Sequence, residues 1–419
     1  MPAPESPESA PDPIPSVNDF ISCYADYADI LEAPRGVHEA VALILLAAVL
    51  NPRVSIRYGG LKLTLDLWEL ILSESGMGRN TLVGLMYPII DASRVCGLVR
   101  GNTWGSGPAF YEDISKNSDG LFIWPEISQV LRTLNQSNFT GVKEWLTDRY
   151  DNTRAPDDIT YRTGRPSSTL PIEFRDSPRI TILATSSLDW FVPNLAQADS
   201  TGGFVPRWLI VRVPGTTKVI SKPKKPNTRW VQPLGDRLRA AAMLRDEADL
   251  SGVEDLYDDW YVSARKRFTG QSNCSLAMPF FHRLRAVVLK LAVIFEVSAS
   301  CSLRVSPAAM QRAIDWVVSS ERTVFELIQT GLTPEGFAAD KMEQKIRQAG
   351  APGITQSELT RAFQGDQYRD RKKRLTTLVH AGKLSFYGRL TAGRKAIVYV
   401  HSDFRVQHEK DFPTDTLIM

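Results

Sequence analysis

The chain has 419 residues, a formal net charge of +3 at neutral pH and a hydrophobic content of 43%. This length is sufficient for two or three domains with a large buried core. The small net charge excludes binding of nucleic acid through a global basic field, so any such affinity must come from a local patch.

The cysteines and histidines give no sign of a metal site or a disulfide scaffold. The four cysteines form no CxxC pair or Cys/His cluster, and the five histidines lack metal-ligand spacing. This usage favours a reducing cytoplasm. The longest apolar run, Val41–Leu50, is too short to span a bilayer, so we expect a buried helix there and no membrane segment.

The first part of the chain predicts a tail followed by a small helical region. Residues 1–16 are rich in Pro, Ser and Glu, which predicts a disordered tail and not a signal peptide. Residues 17–66 contain two helical stretches separated at Pro34, and then two short strands, Val54–Arg57 and Leu61–Leu65.

Residues 67–220 alternate apolar runs with segments long enough to hold helices, including a helical pattern over Thr81–Ala92. This alternation predicts an α/β domain with a largely parallel sheet. The predicted strands are Trp68–Ser73, Gly120–Pro125, Arg179–Thr185 and Trp208–Val213.

Residues 221–332 predict an exposed linker and then a helical domain that would act as a lid. The linker is the Lys/Pro segment Ser221–Trp230. One stretch, LRAVVLKLAVIFEV, is apolar on nearly all sides and is expected to be packed inside this domain. The predicted helices are Leu234–Ala248, Val253–Phe268, Pro279–Ala299 and Pro307–Leu332.

The turn after the first core strand has the outline of a phosphate-binding loop. Trp68–Leu82 reads WELILSESGMGRNTL, whereas the usual loop is G-x-x-x-x-G-K-[ST]. Ser73 stands at the first glycine, Gly78 at the second, Arg79 at the lysine and Asn80-Thr81 at the hydroxyl position. The alternative is a glycine turn with a purely structural role, which is common in α/β proteins.

The ends of the next two strands offer groups that such a site needs. Glu126 follows an apolar strand, as a glutamate that polarises the attacking water would, but Pro125 stands where a metal-shell Asp is expected. Thr185 and Ser186 end a third strand and are suited to sensing a γ-phosphate. The alternatives are a solvated glutamate and hydroxyls that cap the chain.

One arginine lies on a Gly-rich segment just before the last core strand. Arg207 follows Gly202-Gly203 in the sequence STGGFVPRWLIV. An arginine at the edge of a subunit could reach the nucleotide of a neighbouring subunit. It would stabilise the charge that develops on the transferred phosphoryl group. The alternative is an ordinary solvated arginine.

Six short segments occur in an order that resembles a family of phage and mobile-element P-loop ATPases, helicase-like proteins often found beside primase-polymerases. The resemblance covers about residues 17–332. The segments are YADILEAPRGVH, LILSESGMGRNT, LFIWPEISQVL, VKEWLTDRYDN, ITILATSSLDWF and GGFVPRWLIV.

This resemblance implies a RecA- or AAA-like core that assembles as a ring, with ATP and Mg²⁺ between subunits. It implies Glu126 as the catalytic glutamate, Thr185 or Ser186 as the sensor and Arg207 as the trans-acting arginine. Because Arg79 replaces lysine and Pro125 replaces aspartate, we expect nucleotide binding more than efficient hydrolysis. The implied nucleotide-binding residues are Ser75, Gly76, Met77, Gly78, Arg79, Asn80 and Thr81, with the Thr81 hydroxyl on the metal.

Residues 333–405 predict a winged helix, followed by a tail over 406–419. Between Thr355 and Arg405 there are eleven Lys/Arg and four Asp/Glu. The order of helix, helix and hairpin is typical of a winged helix that places its second helix in a DNA groove. The alternatives are a protein-binding winged helix and a solvated basic face. The candidate DNA contacts are Arg369, Arg371, Lys372, Lys373, Arg374, Arg389, Arg394 and Lys395.

Three functions remain open from the sequence. The leading one is a ring-forming, ATP-binding, helicase-like replication protein that binds single-stranded DNA or an origin duplex, with a primase or polymerase as a possible partner. The second is a catalytically silent scaffold or initiator that keeps the ATPase fold for assembly. The third is a transcription regulator with a nucleotide-sensing domain.

Overall fold

The computed structural model of the chain describes residues 15–74, 78–101, 104–150, 174, 177–212, 218–329, 332–391 and 394–418. The chain divides into two compact units, residues 1–328 and residues 329–419. Among the described helices, none is both long enough and apolar enough to cross a bilayer.

The first unit combines helices with two sheets. Its strands are β1 (Val54–Tyr58), β2 (Leu61–Thr64), β3 (Trp68–Leu72), β4 (Val99–Arg100), β5 (Asp119–Trp124), β6 (Arg179–Ser186), β7 (Trp208–Arg212) and β8 (Asp246–Ala248). Its helices are α1 (Phe20–Ala28), α2 (Arg35–Leu50), α3 (Arg79–Gly84), α4 (Tyr87–Ser93), α5 (Gly107–Lys116), α6 (Ile127–Leu134), α7 (Val142–Arg149), α8 (Leu188–Phe191), α9 (Gln197–Thr201), α10 (Val231–Ala242), α11 (Glu254–Thr269), α12 (Cys274–Ser300) and α13 (Pro307–Gln329).

The centre of this unit is a five-stranded sheet in the order β4-β5-β6-β3-β7. Every pairing in it is parallel, with Trp68 of β3 level with Ile182 of β6 and with Trp208 of β7. The predicted parallel sheet and α/β class are therefore confirmed. All five strands end at the same edge of the sheet, which is where open α/β sheets bind ligands.

Both faces of this sheet are covered. The apolar helix α2 packs on β3, β5 and β6 from one side, which confirms the predicted buried helix. On the other side the fully buried rings of Trp68, Trp124 and Trp208 contact one another. Burial on both faces explains why the strands read as continuous apolar runs and not as alternating ones.

Two sequence predictions fail at turn-forming residues. The helix predicted over Thr81–Ala92 is two helices in the structure. The first, α3, ends at Gly84, and the second, α4, carries Pro88 in its first turn. The helix predicted over Leu234–Ala248 ends at Ala242. Its last residues form β8, which pairs in parallel with β1 in a separate small sheet, β2-β1-β8.

The helices of residues 221–332 pack on the core and do not form a separate domain. The linker before them is exposed, as predicted. Helix α10 lies against α4 and α2, and Gly235 allows the close approach because a Cβ there would be 2.6 Å from the Cβ of Ala92. The middle of α12 is buried, as its all-round apolar pattern predicts.

A buried lysine joins α12 to the residues just before β3. Lys290 has no exposed surface, and its Nζ donates to the backbone carbonyl of Asp66 at 2.6 Å. The same Nζ lies 4.3 Å from the centre of the Tyr150 ring. Burying a cation is costly without such partners, so this contact fixes the helical region against the sheet.

Glu69, the second residue of β3, is fully buried, and neither of its carboxylate oxygens has a hydrogen-bond partner among the residues that the structure describes. Burial raises the pKa of this carboxyl well above its ordinary value. The side chain is therefore neutral in the folded protein under conditions in which the unfolded chain ionises it.

Replacing Glu69 with Gln is expected to stabilise the first unit at neutral pH by roughly 1–2 kcal/mol. Because the folded pKa is raised, the wild-type unit takes up a proton on folding, so its stability falls as pH rises from about 4.5 towards the folded pKa. In the variant, position 69 takes up no proton on folding, so this part of the pH dependence of stability is lost. Urea unfolding between pH 5 and pH 9 measures it, and Glu144→Gln at an exposed position is the control. Parallel pH profiles for wild type and Glu69→Gln would contradict the assignment.

The second unit is a small α/β unit. Its elements are α14 (Pro334–Gln348), β9 (Ile354–Thr355), α15 (Gln356–Ala362), α16 (Tyr368–His380), β10 (Leu384–Thr391), β11 (Arg394–His401), α17 (Arg405–Asp411) and β12 (Thr416–Leu417). The sheet order is β12-β10-β11-β9, with antiparallel pairings.

The C-terminal residues belong to this second unit. The prediction of a separate tail over 406–419 is wrong for the described residues, because α17 packs on β11 and β12 pairs with β10. His408 is fully buried, with Nδ1 2.6 Å from the carbonyl oxygen of Ala351 and its ring 4.4 Å from that of Tyr387. These contacts attach the segment to the sheet.

Candidate functional site

The candidate phosphate loop leads from β3 into α3 at the carboxyl edge of the central sheet. Gly78 has φ +66°, a left-handed conformation that favours glycine, and its carbonyl accepts from the amides of Thr81 and Leu82 at 2.9 and 3.0 Å. The first amides of α3 begin directly after this glycine, and unpaired amides at a helix start can bind anions. Asn80 and Thr81 are exposed.

A chain of hydrogen bonds joins the ends of three neighbouring strands. The amide of Ser73, just after β3, donates to the carbonyl of Ser186 at the end of β6 at 3.0 Å. The Ser186 hydroxyl in turn donates to Oε1 of Glu126, which follows β5. The structure therefore brings together the loop strand, the candidate sensor and the candidate catalytic glutamate.

Ser128 completes this cluster and has no place in the predicted set of site residues. Its hydroxyl and its amide donate to Oε1 of Glu126 at 2.8 and 3.3 Å, so the glutamate caps the N-terminus of α6. The sequence carried little signal for this contact, since the preferred N-cap residues are Ser, Thr, Asp, Asn and Gly and not Glu. The carboxylate is thereby held in one orientation at the sheet edge.

Thr185 is not arranged as a sensor. It is 1% exposed, and its hydroxyl donates to the carbonyl of Pro125. Neighbouring residues of a strand point to opposite faces of the sheet, so Thr185 and Ser186 cannot both turn towards one ligand. Of the two candidates, Ser186 is the one that contacts Glu126.

Arg207 lies away from this cluster. It directly precedes β7, so it lies at the edge of the sheet where the strands begin. The cluster lies at the edge where the strands end, and a strand of five residues puts about 16 Å between these two edges. The side chain is 7% exposed, its Nη1 donates to the carbonyl of Gly203 at 2.6 Å, and its guanidinium lies 5.9 Å from the Tyr150 ring. The side chain is therefore engaged within its own chain, and the trans-acting role of Arg207 stays a prediction.

The donor set for Mg²⁺ is incomplete. The hydroxyl of Thr81 is exposed and Glu126 supplies a carboxylate, but Pro125 has no side-chain donor where the metal-shell aspartate is expected. Among the described residues, no three His, Cys, Asp or Glu side chains converge on a position that could hold a metal. Since Mg²⁺ is commonly held by one or two carboxylates together with substrate phosphates, a metal at this site stays a prediction that depends on a bound nucleotide.

Several predicted site residues lie outside what the structure describes. These are Ser75, Gly76 and Met77 of the candidate phosphate loop and the side chains of Arg79, Arg394 and Lys395. The backbone of Arg79 opens α3, and the other two residues open β11.

Three of the predicted DNA contacts have structural partners instead. Arg374 is 9% exposed and forms ion pairs with Glu335 at 3.1 Å and Asp366 at 2.5 Å. Arg389 pairs with Asp415 at 2.8 Å, donates to a backbone carbonyl and stacks on the ring of a phenylalanine. Arg371 donates to two backbone carbonyls before α16. These three cations are engaged by partners within the unit, and sequence alone does not separate them from exposed, unengaged ones.

Arg369, Lys372 and Lys373 are the predicted contacts on α16 that remain exposed. Arg369 and Lys373 are four residues apart and so share one face of the helix. A free cationic face of this kind can contact backbone phosphates.

Comparison with known proteins adds no family to this description. No protein-family model matches the chain, and no curated protein matches it. The resemblance to phage and mobile-element ATPases therefore stays a prediction from the six ordered segments.

Replacing Arg374 with Ala is expected to destabilise the second unit by about 1–3 kcal/mol, because Glu335 and Asp366 lose the cation between them. Arg369→Ala on the exposed face is the matched control and is expected within about 0.5 kcal/mol of wild type. Thermal unfolding of the full chain measures both. Equal unfolding temperatures would show that Arg374 is not a structural residue.

Proposed function

We propose that this protein is a nucleotide-binding protein of the P-loop type that acts on DNA during replication, as a ring-forming, helicase-like assembly. The observation that carries the proposal is the linked cluster of Ser73, Ser186 and Glu126 beside the Gly78 turn. It supports the proposal because the ends of adjacent parallel strands and the start of a helix are where phosphates are commonly bound.

In this proposal the Gly78 turn and the first amides of α3 receive the phosphates of ATP. Mg²⁺ would accompany the nucleotide and neutralise charge on the transferred phosphoryl group, with the Thr81 hydroxyl as a protein ligand. Glu126 would orient the attacking water and accept its proton, and Ser186 and Ser128 hold its carboxylate for that task. Without an aspartate at position 125, turnover is expected to be slow.

The second unit would supply DNA affinity. Its order of helices followed by a hairpin supports a winged helix, and Arg369, Lys372 and Lys373 form the cationic surface of α16. Contacts from these residues to phosphates would be independent of sequence and sensitive to salt. A primase or polymerase remains a possible partner.

The second candidate function is a catalytically silent scaffold or initiator with the same fold. The burial of Arg207 favours it, because a trans-acting arginine must leave its own chain to reach a neighbour's nucleotide. The replacement of lysine by Arg79 and of aspartate by Pro125 favours it too. The scaffold would bind ATP or DNA without steady phosphate release.

Replacing Glu126 with Gln is expected to reduce phosphate release by about 100-fold or more, because the amide cannot accept the proton of the attacking water. Binding of a fluorescent ATP analogue is expected to stay within about twofold, since the side-chain shape is retained. Release is measured with single-stranded DNA present, and Glu112→Gln is the matched control. Absence of release from wild type, with unchanged assembly, would support the scaffold instead.

Replacing Lys373 with Ala is expected to weaken DNA binding by about the same factor for every DNA sequence tested. The slope of log K against log salt is expected to fall in magnitude by about one. Lys410→Ala on α17 is the control, since it is also an exposed lysine of this unit. Fluorescence anisotropy over a salt series measures both. A strong preference for one duplex sequence would instead favour the transcription regulator.

A further inference from the structure

A groove of about 540 Å³ opens on the second unit between α15, α16 and the β10–β11 hairpin. Its walls are formed by Leu359 of α15, Leu375 and Val379 of α16, and Phe386 and Ile397 of the two strands. All of these except Leu359 are only partly buried and lie at the margin of the core of this unit. The groove is therefore an apolar surface that another chain could cover.

Aromatic rings give this groove a particular character. The rings of Phe386 and Tyr399 are 6.1 Å apart and line the same wall. Tyr368, at the first position of α16, also lines the groove and is 63% exposed. An aromatic ring left this open beside an apolar floor can pack against a ligand at little cost in its own ordering.

The polar residues that line the groove carry positive charge or none. Arg371 and Lys372 lie along it, with His380 at one end, and no aspartate or glutamate is among its described lining residues. Lys372 is exposed, so its ammonium group can meet a carboxylate. The groove therefore favours an acidic ligand with apolar side chains.

We propose that this groove binds an acidic, proline-rich peptide in the extended polyproline conformation, and that the sequence of residues 1–15 of this chain is such a peptide. That sequence, MPAPESPESAPDPIP, holds six prolines, three carboxylates and no lysine or arginine. Proline-rich peptides bind aromatic-lined grooves because their backbone is already extended and loses little freedom. The carboxylates complement the exposed Lys372.

This inference does not depend on nucleotide or DNA binding. The residues that line the groove and those proposed to contact DNA share Lys372, but Arg369 and Lys373 are exposed and do not line the groove. Substitutions at lining and non-lining positions of α16 can therefore separate peptide binding from DNA binding.

The test is fluorescence anisotropy of a labelled synthetic peptide with the sequence of residues 1–15, titrated with the full chain. We expect saturable binding that Tyr368→Ala and Lys372→Glu each weaken by roughly fivefold or more. Lys373→Glu, the matched charge reversal at an exposed position of α16 that does not line the groove, is expected to stay within about twofold. All three positions are exposed, and thermal unfolding checks that each variant folds.

Peptide variants and a second protein variant complete the test. A peptide with its carboxylates replaced by amides, and one with Pro4 and Pro7 replaced by Ala, are both expected to bind more weakly. In the full chain, Glu5→Lys, Glu8→Lys and Asp12→Lys together are expected to leave peptide binding equal or stronger, since they remove any competition by the chain's own segment.

Several results would overturn the proposal. One is the absence of binding, both to wild type and to the Lys-substituted chain. Equal weakening by Lys372→Glu and Lys373→Glu would show a diffuse charge effect. Tighter binding of an amphipathic Leu/Glu helical peptide would assign the groove to a helix, and loss of DNA binding but not of peptide binding in Tyr368→Ala would assign it to nucleic acid.

Discussion

The parallel pairing of β3 with β6 is the constraint on which the candidate site depends. Because β6 lies between β3 and β5, the ends of all three strands meet at one edge, and the amide of Ser73 extends the pairing to Ser186. The hydroxyl of Ser186 then reaches Glu126. A shift of one residue between β3 and β6 would turn Ser186 to the opposite face and break this link.

Polar groups buried around the central sheet show how the first unit holds together. Lys290 is supported by a backbone carbonyl and an aromatic ring, and it ties a long helix to the start of β3. The carboxylate oxygens of Glu69 have no hydrogen-bond partner in the described part of the chain, and burial raises the pKa of this carboxyl well above its ordinary value. One group strengthens the packing of helices on the sheet, whereas the other costs stability in the same strand that carries the candidate loop. A buried polar group that lowers stability in this way is typical of functional regions, where the sequence does not maximise stability.

The second unit divides its cations between structure and surface. Arg374 and Arg389 neutralise carboxylates within the unit, while Arg369, Lys372 and Lys373 face outward on one helix. A local excess of lysine and arginine is therefore not a measure of the charge available to DNA. The exposed cations of α16 differ as well, since Lys372 lines an apolar, aromatic groove whereas Arg369 and Lys373 do not.

The sequence by itself determined four of the five strands of the parallel sheet, the buried helix α12 and the helix and hairpin order of the second unit, because periodicity and turn residues act locally. It placed Gly78, Glu126 and Ser186 near strand ends for the same reason. Only the tertiary structure decided that Ser128 joins Glu126, that Thr185 faces the other side, that Arg207 and Arg374 are buried and that residues 405–417 complete a sheet. Those outcomes depend on which elements lie beside each other, and contacts between residues far apart in sequence leave no periodic signal.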